Sequence, residues 1–144
     1  MKATTFPFTV ERRDDQALVA MECGGLIRAR LMPPDLLRAI VDTCRNIRDE
    51  VIPGAARDRR FRRRIPKFPD CIPVAHADIG GACTVRLVAS TDDDGMIEYC
   101  AGFYDAEDTE APALVLVNDQ LQEFFDRAEP VLASFGMPDG SPLR

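Results

Sequence analysis

The sequence has no tryptophan, a single histidine, only three serines, and two lysines among its 18 basic residues. No G-x-S-x-G motif surrounds a serine, so a serine hydrolase is disfavoured. The pairs Gly24-Gly25 and Gly80-Gly81 are not followed by G-K-[S/T], which excludes a standard phosphate loop. These shortages favour a protein that is not an enzyme and that uses no cofactor.

The five cysteines, at positions 23, 44, 71, 83 and 100, are odd in number and form no C-x-x-C motif. A secreted disulfide framework has a different spacing, so we expect reduced, buried thiols in a cytoplasmic protein. The N-terminal residues show no apolar core of an export signal, and no apolar run is long enough for a membrane span. The excess of arginine over lysine suggests a bacterial or phage origin.

One basic run, residues 57–67, interrupts an otherwise acidic chain of net charge −6. It holds seven of the 18 basic side chains and one acid, Asp58, so the run is +6 and the remainder is −12. Prolines 66 and 69 favour an extended surface linker over residues 57–70. Phosphate binding is one interpretation, because arginine matches phosphate geometry and an aromatic ring can stack on a base. The candidate nucleic-acid contacts are Arg59, Arg60, Phe61, Arg62, Arg63, Arg64 and Lys67.

The periodicity predicts an α+β fold in a single domain of residues 1–144, with residues 137–144 as a tail. We expect an antiparallel or mixed sheet with two main helices, over about 35–52 and 119–135, packed on it. Pro53-Gly54 should end the first helix, and a capping box from Asp119 to Gln122 should begin the second. The strands are expected at 4–10, 16–23, 26–32, 72–78, 83–90, 96–104 and 113–117.

Two hairpins carry the face assignments. Across Gly24-Gly25, one predicted core face holds Leu18, Ala20, Ile27, Ala29 and Leu31, and the opposite face holds Val19, Met21, Arg28 and Arg30. The second hairpin, over residues 83–104, carries apolar residues on both faces. We expect Val85, Leu87, Ala89 and Cys100 on one face and Val88, Ile97, Tyr99, Ala101 and Phe103 on the other.

Acidic residues and aromatics in the second half suggest a protein-binding surface. Acidic surfaces steer association with basic partners, and exposed aromatics can anchor them. The predicted contacts are Asp92, Asp93, Asp94, Tyr99, Phe103, Tyr104, Asp105, Glu107 and Asp108. The alternative is that these acids only keep the protein soluble.

His76 is the remaining candidate for chemistry, because in a strand it shares a side with Asp78, which can orient an imidazole. The spacing C-x4-H-x6-C around it is not a zinc pattern and lacks a fourth ligand, so no metal is expected. The favoured hypothesis is therefore a non-catalytic protein-binding module, such as an inhibitor, immunity protein, chaperone or adaptor. The alternatives are nucleic-acid or phosphate binding through residues 57–67 and a small enzyme or metal site using His76. A homodimer is compatible with either binding role, and no membrane partner is expected.

Overall fold

A computed structural model of the chain describes residues 7–23, 25–58, 72–91, 96–107 and 112–136. The first three strands form an antiparallel sheet in the order β1-β2-β3. Their bounds are β1 Phe8–Arg13, β2 Gln16–Cys23 and β3 Leu26–Met32. Leu18 lies opposite Leu31, and Ala20 lies opposite Ala29, so the hairpin joining β2 and β3 has the predicted pairing.

A second antiparallel sheet of four strands follows in simple sequence order. Its strands are β4 Ile72–Gly80, β5 Cys83–Thr91, β6 Ile97–Asp105 and β7 Leu114–Val117. The α+β class and the two main helices are confirmed, and the strands divide into two sheets rather than one.

The first helix continues beyond its predicted end. Helix α1, Pro34–Asn46, passes through a π-helical turn, Ile47–Val51, into α2, Ile52–Arg57. The prediction that Pro53-Gly54 terminates the helix was therefore wrong. A proline inside a helix lacks an N–H and clashes with the carbonyl four residues earlier, and a π turn relieves that conflict by widening the ring of hydrogen bonds.

The last helix, α3, covers Leu121–Ser134 and follows a 3-10 turn, Asn118–Gln120. Its cap differs from the predicted one. The side-chain oxygen of Gln120 accepts a hydrogen bond from the Val117 N–H at 3.2 Å. Gln122 instead donates to Asp126 one turn further along, at 3.0 Å. The 3-10 turn moves the start of the helix, so the residue placed to reach back is Gln120.

Both helices bury apolar stripes in one core that also receives residues from both sheets. The rings of Phe8 on β1 and Phe124 on α3 lie 5.6 Å apart in this core. The stripe of α1 follows the predicted 3.6-residue period. Its buried members are Leu36, Leu37, Ile40, Val41 and Cys44.

The core face of the first hairpin is the reverse of the predicted one. Ala17, Val19 and Met21 are at most 1% exposed, whereas Ile27 and Leu31 are 73% and 54% exposed. The two strands favour opposite faces, because β2 places Gln16 and Glu22 on the outer face whereas β3 places its apolar residues Ile27, Ala29 and Leu31 there. The inward face of β3 carries Arg30, and the ion pair described below makes that placement tolerable.

The two faces of β5 and β6 combine differently from the prediction. Val85 lies opposite Phe103, Leu87 opposite Ala101, and Ala89 opposite Tyr99, so these residues share the buried face. Cys100 lies opposite Val88 on the outer face. The predicted grouping was wrong for β6, because the register pairs odd-numbered residues of β5 with odd-numbered residues of β6 and so places Tyr99, Ala101 and Phe103 on the face of Val85, Leu87 and Ala89.

Candidate functional site

Two aromatic residues of the predicted protein-binding surface are buried. Tyr99 and Phe103 are 6% and 1% exposed, so their side chains belong to the core and cannot anchor a partner. Their inward direction follows from the β5–β6 register described above. Asp92, Asp93, Asp94 and Asp108 lie outside the described residues.

The described remainder of that set consists of Tyr104, Asp105 and Glu107. Tyr104 is half-buried on the outer face of the second sheet, where the guanidinium of Arg86 lies 4.5 Å from its ring centre. Asp105 forms an ion pair with Arg30 of β3, and Glu107 is exposed. Asp105 is thus ion-paired within the chain. Glu107 is the described acid of this set whose side chain is exposed to solvent.

The Arg30–Asp105 pair joins the two sheets. Arg30 also donates through Nη2 to the carbonyl oxygen of Gly81 at 2.9 Å, in the turn between β4 and β5. The side chain of Arg30 is 19% exposed and that of Asp105 is 35% exposed. A partly buried pair with an extra hydrogen bond fixes geometry more firmly than an exposed surface pair.

The basic run falls mostly outside the described part of the chain. Arg57, at the end of α2, and Asp58 are exposed. The candidate contacts with nucleic acid, namely Arg59, Arg60, Phe61, Arg62, Arg63, Arg64 and Lys67, lie outside the described residues. Nucleic-acid binding therefore stays a prediction from the sequence.

His76 is exposed on β4, opposite Arg86 of β5. The carboxylate of Asp78 accepts a hydrogen bond from the Gly80 N–H at 3.0 Å, so it holds the adjoining turn. Within the described ranges, no cluster of three or more His, Cys, Asp or Glu side chains is placed to hold a metal ion. A role of His76 in chemistry therefore stays a prediction from the sequence.

Three of the cysteines are free thiols held in or near the core. Cys44 and Cys83 are buried, and Cys100 is half-buried. Burial raises the pKa of the Cys44 thiol far above its ordinary value, and burial also raises the pKa of the Cys83 thiol. A thiol kept protonated is a poor nucleophile, so both residues behave as core side chains.

A polar groove of about 500 Å³ runs between α1 and α3. Its floor is Phe125, and the guanidinium groups of Arg45 and Arg48 lie 5.6 and 4.6 Å from that ring centre. Glu129 pairs with Arg45 at 3.4 Å, and Arg48 donates to Gln122 at 2.6 Å. These contacts tie the two helices together, so we interpret the groove as a structural network.

An apolar surface that was not predicted from the sequence is exposed on the outside of the first sheet. We define the outer β3 surface as the outward-facing residues of β2 and β3. Ile27 and Leu31 are its most exposed members, at 73% and 54%. Its residues are Leu18, Ala20, Ile27, Ala29 and Leu31.

The outer β3 surface is bordered by charge and by a shallow depression. Arg13 pairs with Glu11 on the neighbouring β1 at 2.5 Å, so that side is electrically neutral. A depression of about 170 Å³ opens beside Ile27 and is also lined by Pro7, Thr9 and Glu22. The signal for this surface in the sequence is the conflict between β2, whose polar Gln16 and Glu22 lie on the outer face, and β3, whose outer face is apolar.

No protein-family model matches the sequence, and no curated protein matches it. None of the helices in the described ranges is long and apolar enough to cross a membrane. The surfaces of the described residues therefore carry the proposal of a function.

Proposed function

We propose that this protein is a non-catalytic binding module that docks another protein on the outer β3 surface. Inhibitors, immunity proteins, chaperones and adaptors are modules of this kind. The observation that carries the proposal is the exposure of Ile27 and Leu31, at 73% and 54%, on an edge strand of the first sheet. This surface replaces Tyr99 and Phe103 as the apolar part of the binding site.

Leaving these apolar side chains exposed forgoes the free energy that their burial would contribute. Burying one leucine or isoleucine is worth ~1.5–3 kcal/mol, and contiguous exposed apolar patches mark interaction sites or aggregation hazards. Leu18 lies opposite Leu31 and Ala20 lies opposite Ala29, so these apolar side chains form one patch, and the acid Glu22 lies opposite Ile27 at its end. A partner that covers the patch recovers that burial.

The outer β3 surface alone is too small for a standard interface, so the partner also contacts the residues around it. Three strands ~4.8 Å apart and about six residues long, at ~3.3 Å per residue, present only about 300 Å² of sheet face. A standard interface buries about 800 Å² on each partner. The net charge of −6 additionally favours a partner that has basic residues around the contact, because opposite charges accelerate association.

The test is affinity capture from cells that naturally contain the protein, with Leu31→Gln as the test variant and Met96→Gln as the control. Met96 is 65% exposed and lies just before β6, away from the outer β3 surface. We expect a protein that wild type and Met96→Gln retain, that Leu31→Gln loses, and that survives nuclease treatment.

Three outcomes would overturn the proposal. If Leu31→Gln does not change capture, the outer β3 surface is not part of the binding site. Capture that nuclease abolishes would favour nucleic-acid binding through residues 57–67. A wild-type dimer in light scattering that Leu31→Gln converts to monomer would make a second copy the occupant.

A further inference from the structure

The depression beside Ile27 forms where a small side chain lies between larger ones on the outward face of the first sheet. On that face Ala20 lies opposite Thr9 of β1, and Glu22 lies opposite Ile27 of β3. Ala20 carries only a methyl group, so the face is hollow above it. Pro7 and Thr9 line the hollow on the β1 side, and Ile27 lines it on the β3 side. The depression therefore opens outward, at one end of the outer β3 surface.

The volume of the depression decides what kind of group it can hold. Small-molecule sites have volumes of about 300–1,000 Å³, so a depression of about 170 Å³ is too small for a typical ligand. A water molecule takes ~30 Å³ in the liquid, so the depression has room for about six groups of that size. One long side chain has this bulk. The occupant that fits is therefore a single side chain presented by another protein.

The rim of the depression carries a negative charge. Glu22 is exposed there, and within the described part of the chain its carboxylate makes no hydrogen bond or ion pair. The other charged residues that β1, β2 and β3 direct to this face are Glu11 and Arg13, which pair with each other. The outward face of these three strands thus has one uncompensated charge, and that charge adjoins an apolar recess.

We propose that the depression receives an arginine side chain of the partner protein, with its stem against the apolar walls and its guanidinium group on Glu22. This inference rests on the proposed function and specifies the chemistry of the contact. Arginine combines an apolar stem with a charged head, so it matches a recess that is apolar along its length and acidic at one end. A guanidinium group also donates two parallel hydrogen bonds to a carboxylate.

Other side chains match only part of the recess. A purely apolar side chain would fill the depression and cover Glu22 without pairing its charge, which is unfavourable. An acidic side chain would place a like charge beside Glu22. A lysine would pair with Glu22, but its ammonium group is more strongly hydrated and cannot make the two parallel hydrogen bonds. Arginine satisfies both the apolar walls and the carboxylate.

The direct test is an NMR titration with n-butylguanidinium, which carries the stem and head of arginine without a peptide backbone. A probe of this size should bind in the millimolar to tens-of-millimolar range. We expect saturable shifts of the backbone amide signals of Thr9, Ala20 and Glu22. The matched neutral probe, n-butylurea, should bind about fivefold more weakly, because it cannot pair with the carboxylate.

Two results of the titration would overturn the inference. One is the absence of saturable shifts at these three residues up to about 100 mM n-butylguanidinium. The other is equal affinity for n-butylguanidinium and n-butylurea, which would show that Glu22 does not contribute. A third probe, n-butylammonium, tests the choice of arginine over lysine, and binding as tight as that of n-butylguanidinium would overturn that choice.

Two variants separate the charge from the recess. Glu22→Gln removes the charge and keeps the volume, so it should weaken n-butylguanidinium binding about fivefold and leave n-butylurea binding unchanged. Ala20→Leu fills the recess and should abolish binding of both probes. Glu107→Gln is the control, because Glu107 is an exposed acid that follows β6 and does not line this depression. If Glu107→Gln weakens binding as much as Glu22→Gln, the effect is one of net charge and the inference fails.

The natural partner separates this inference from the proposed function. If Leu31→Gln abolishes capture while Glu22→Gln and Ala20→Leu leave it unchanged, the outer β3 surface binds a protein without an arginine in the depression. If none of the three variants affects capture, the proposed function fails as well. A wild-type dimer that Glu22→Gln dissociates would place an arginine of a second copy in the depression and overturn the assignment to a partner protein.

Discussion

The ring of Tyr104 lies over Gly102, two residues earlier in β6, and a β-carbon at position 102 would stand 2.8 Å from Cε1 of that ring. Arg86 stacks on the same ring from β5, so the three residues form a layer on the outer face of the second sheet. This close approach of an aromatic side chain favours glycine at position 102.

Gly102→Ala should lower the free energy of unfolding by about 1 kcal/mol. Overpacking costs ~1–3 kcal/mol, and the reduced entropy of the unfolded chain returns ~0.4–1 kcal/mol. Urea unfolding measures the change, and Tyr104→Ala supplies the second arm of a double-mutant cycle. In that background Gly102→Ala should be neutral or stabilising, and an unchanged loss would contradict the steric explanation.

Asp105→Asn should destabilise the protein by ~1–2 kcal/mol, between the values for exposed and buried ion pairs. The reason is that Arg30 would keep a partly buried charge without its carboxylate partner. Glu107→Gln is the matched control, because Glu107 is an exposed acid two residues away. Equal midpoints of thermal unfolding for the two variants would show that the Arg30–Asp105 pair contributes nothing to stability.

Val19→Thr and Leu31→Thr should differ strongly, because Val19 is 1% exposed and Leu31 is 54% exposed. A hydroxyl buried without a partner costs ~1–3 kcal/mol, whereas a surface change stays within about 0.5 kcal/mol. Denaturant midpoints of the two variants check the assignment. A larger loss for Leu31→Thr would mean that the outer β3 surface belongs to the core of the isolated chain.

Stability should fall at alkaline pH because of Cys44. Its ordinary pKa is 9.0, and burial raises the pKa in the folded state far above that value. Above about pH 9 the unfolded chain releases this proton while the folded chain keeps it, so the stabilisation is complete below that pH and declines above it. The slope from one such group is at most ~1.4 kcal/mol per pH unit.

Cys44→Ala should flatten this decline in urea unfolding measured from about pH 8 to 10.5, whatever its effect at neutral pH. The comparison is of slopes, because the substitution also removes buried volume. A variant with an undiminished slope would assign the alkaline loss to other groups, of which Cys83 is one whose pKa burial also raises.

The sequence predicted most strands and both main helices, because period-2 and period-3.6 patterns and the glycine pairs are local signals. It could not determine which face of the first hairpin lies inside, because β2 and β3 favour opposite faces. That choice depends on Arg30 meeting Asp105, 75 positions away, and no local pattern reports such a contact. Similarly, Tyr99 and Phe103 qualified as anchors by residue type, and only the register with β5 shows that both lie inside. The outer β3 surface escaped prediction for the same reason.

The π-helical turn Ile47–Val51 has a consequence for how this chain tolerates changes of length. It adds one residue to the helical path, which rotates everything after it by about 100° relative to an uninterrupted α-helix. Val51, Ile52 and Ala55 pack against the core in that rotated phase. Deleting one residue from the turn would restore regular helix and turn those side chains away from the core. The surplus residue is therefore a fixed part of the register, and a shortened homologue would need a different apolar sequence after position 51.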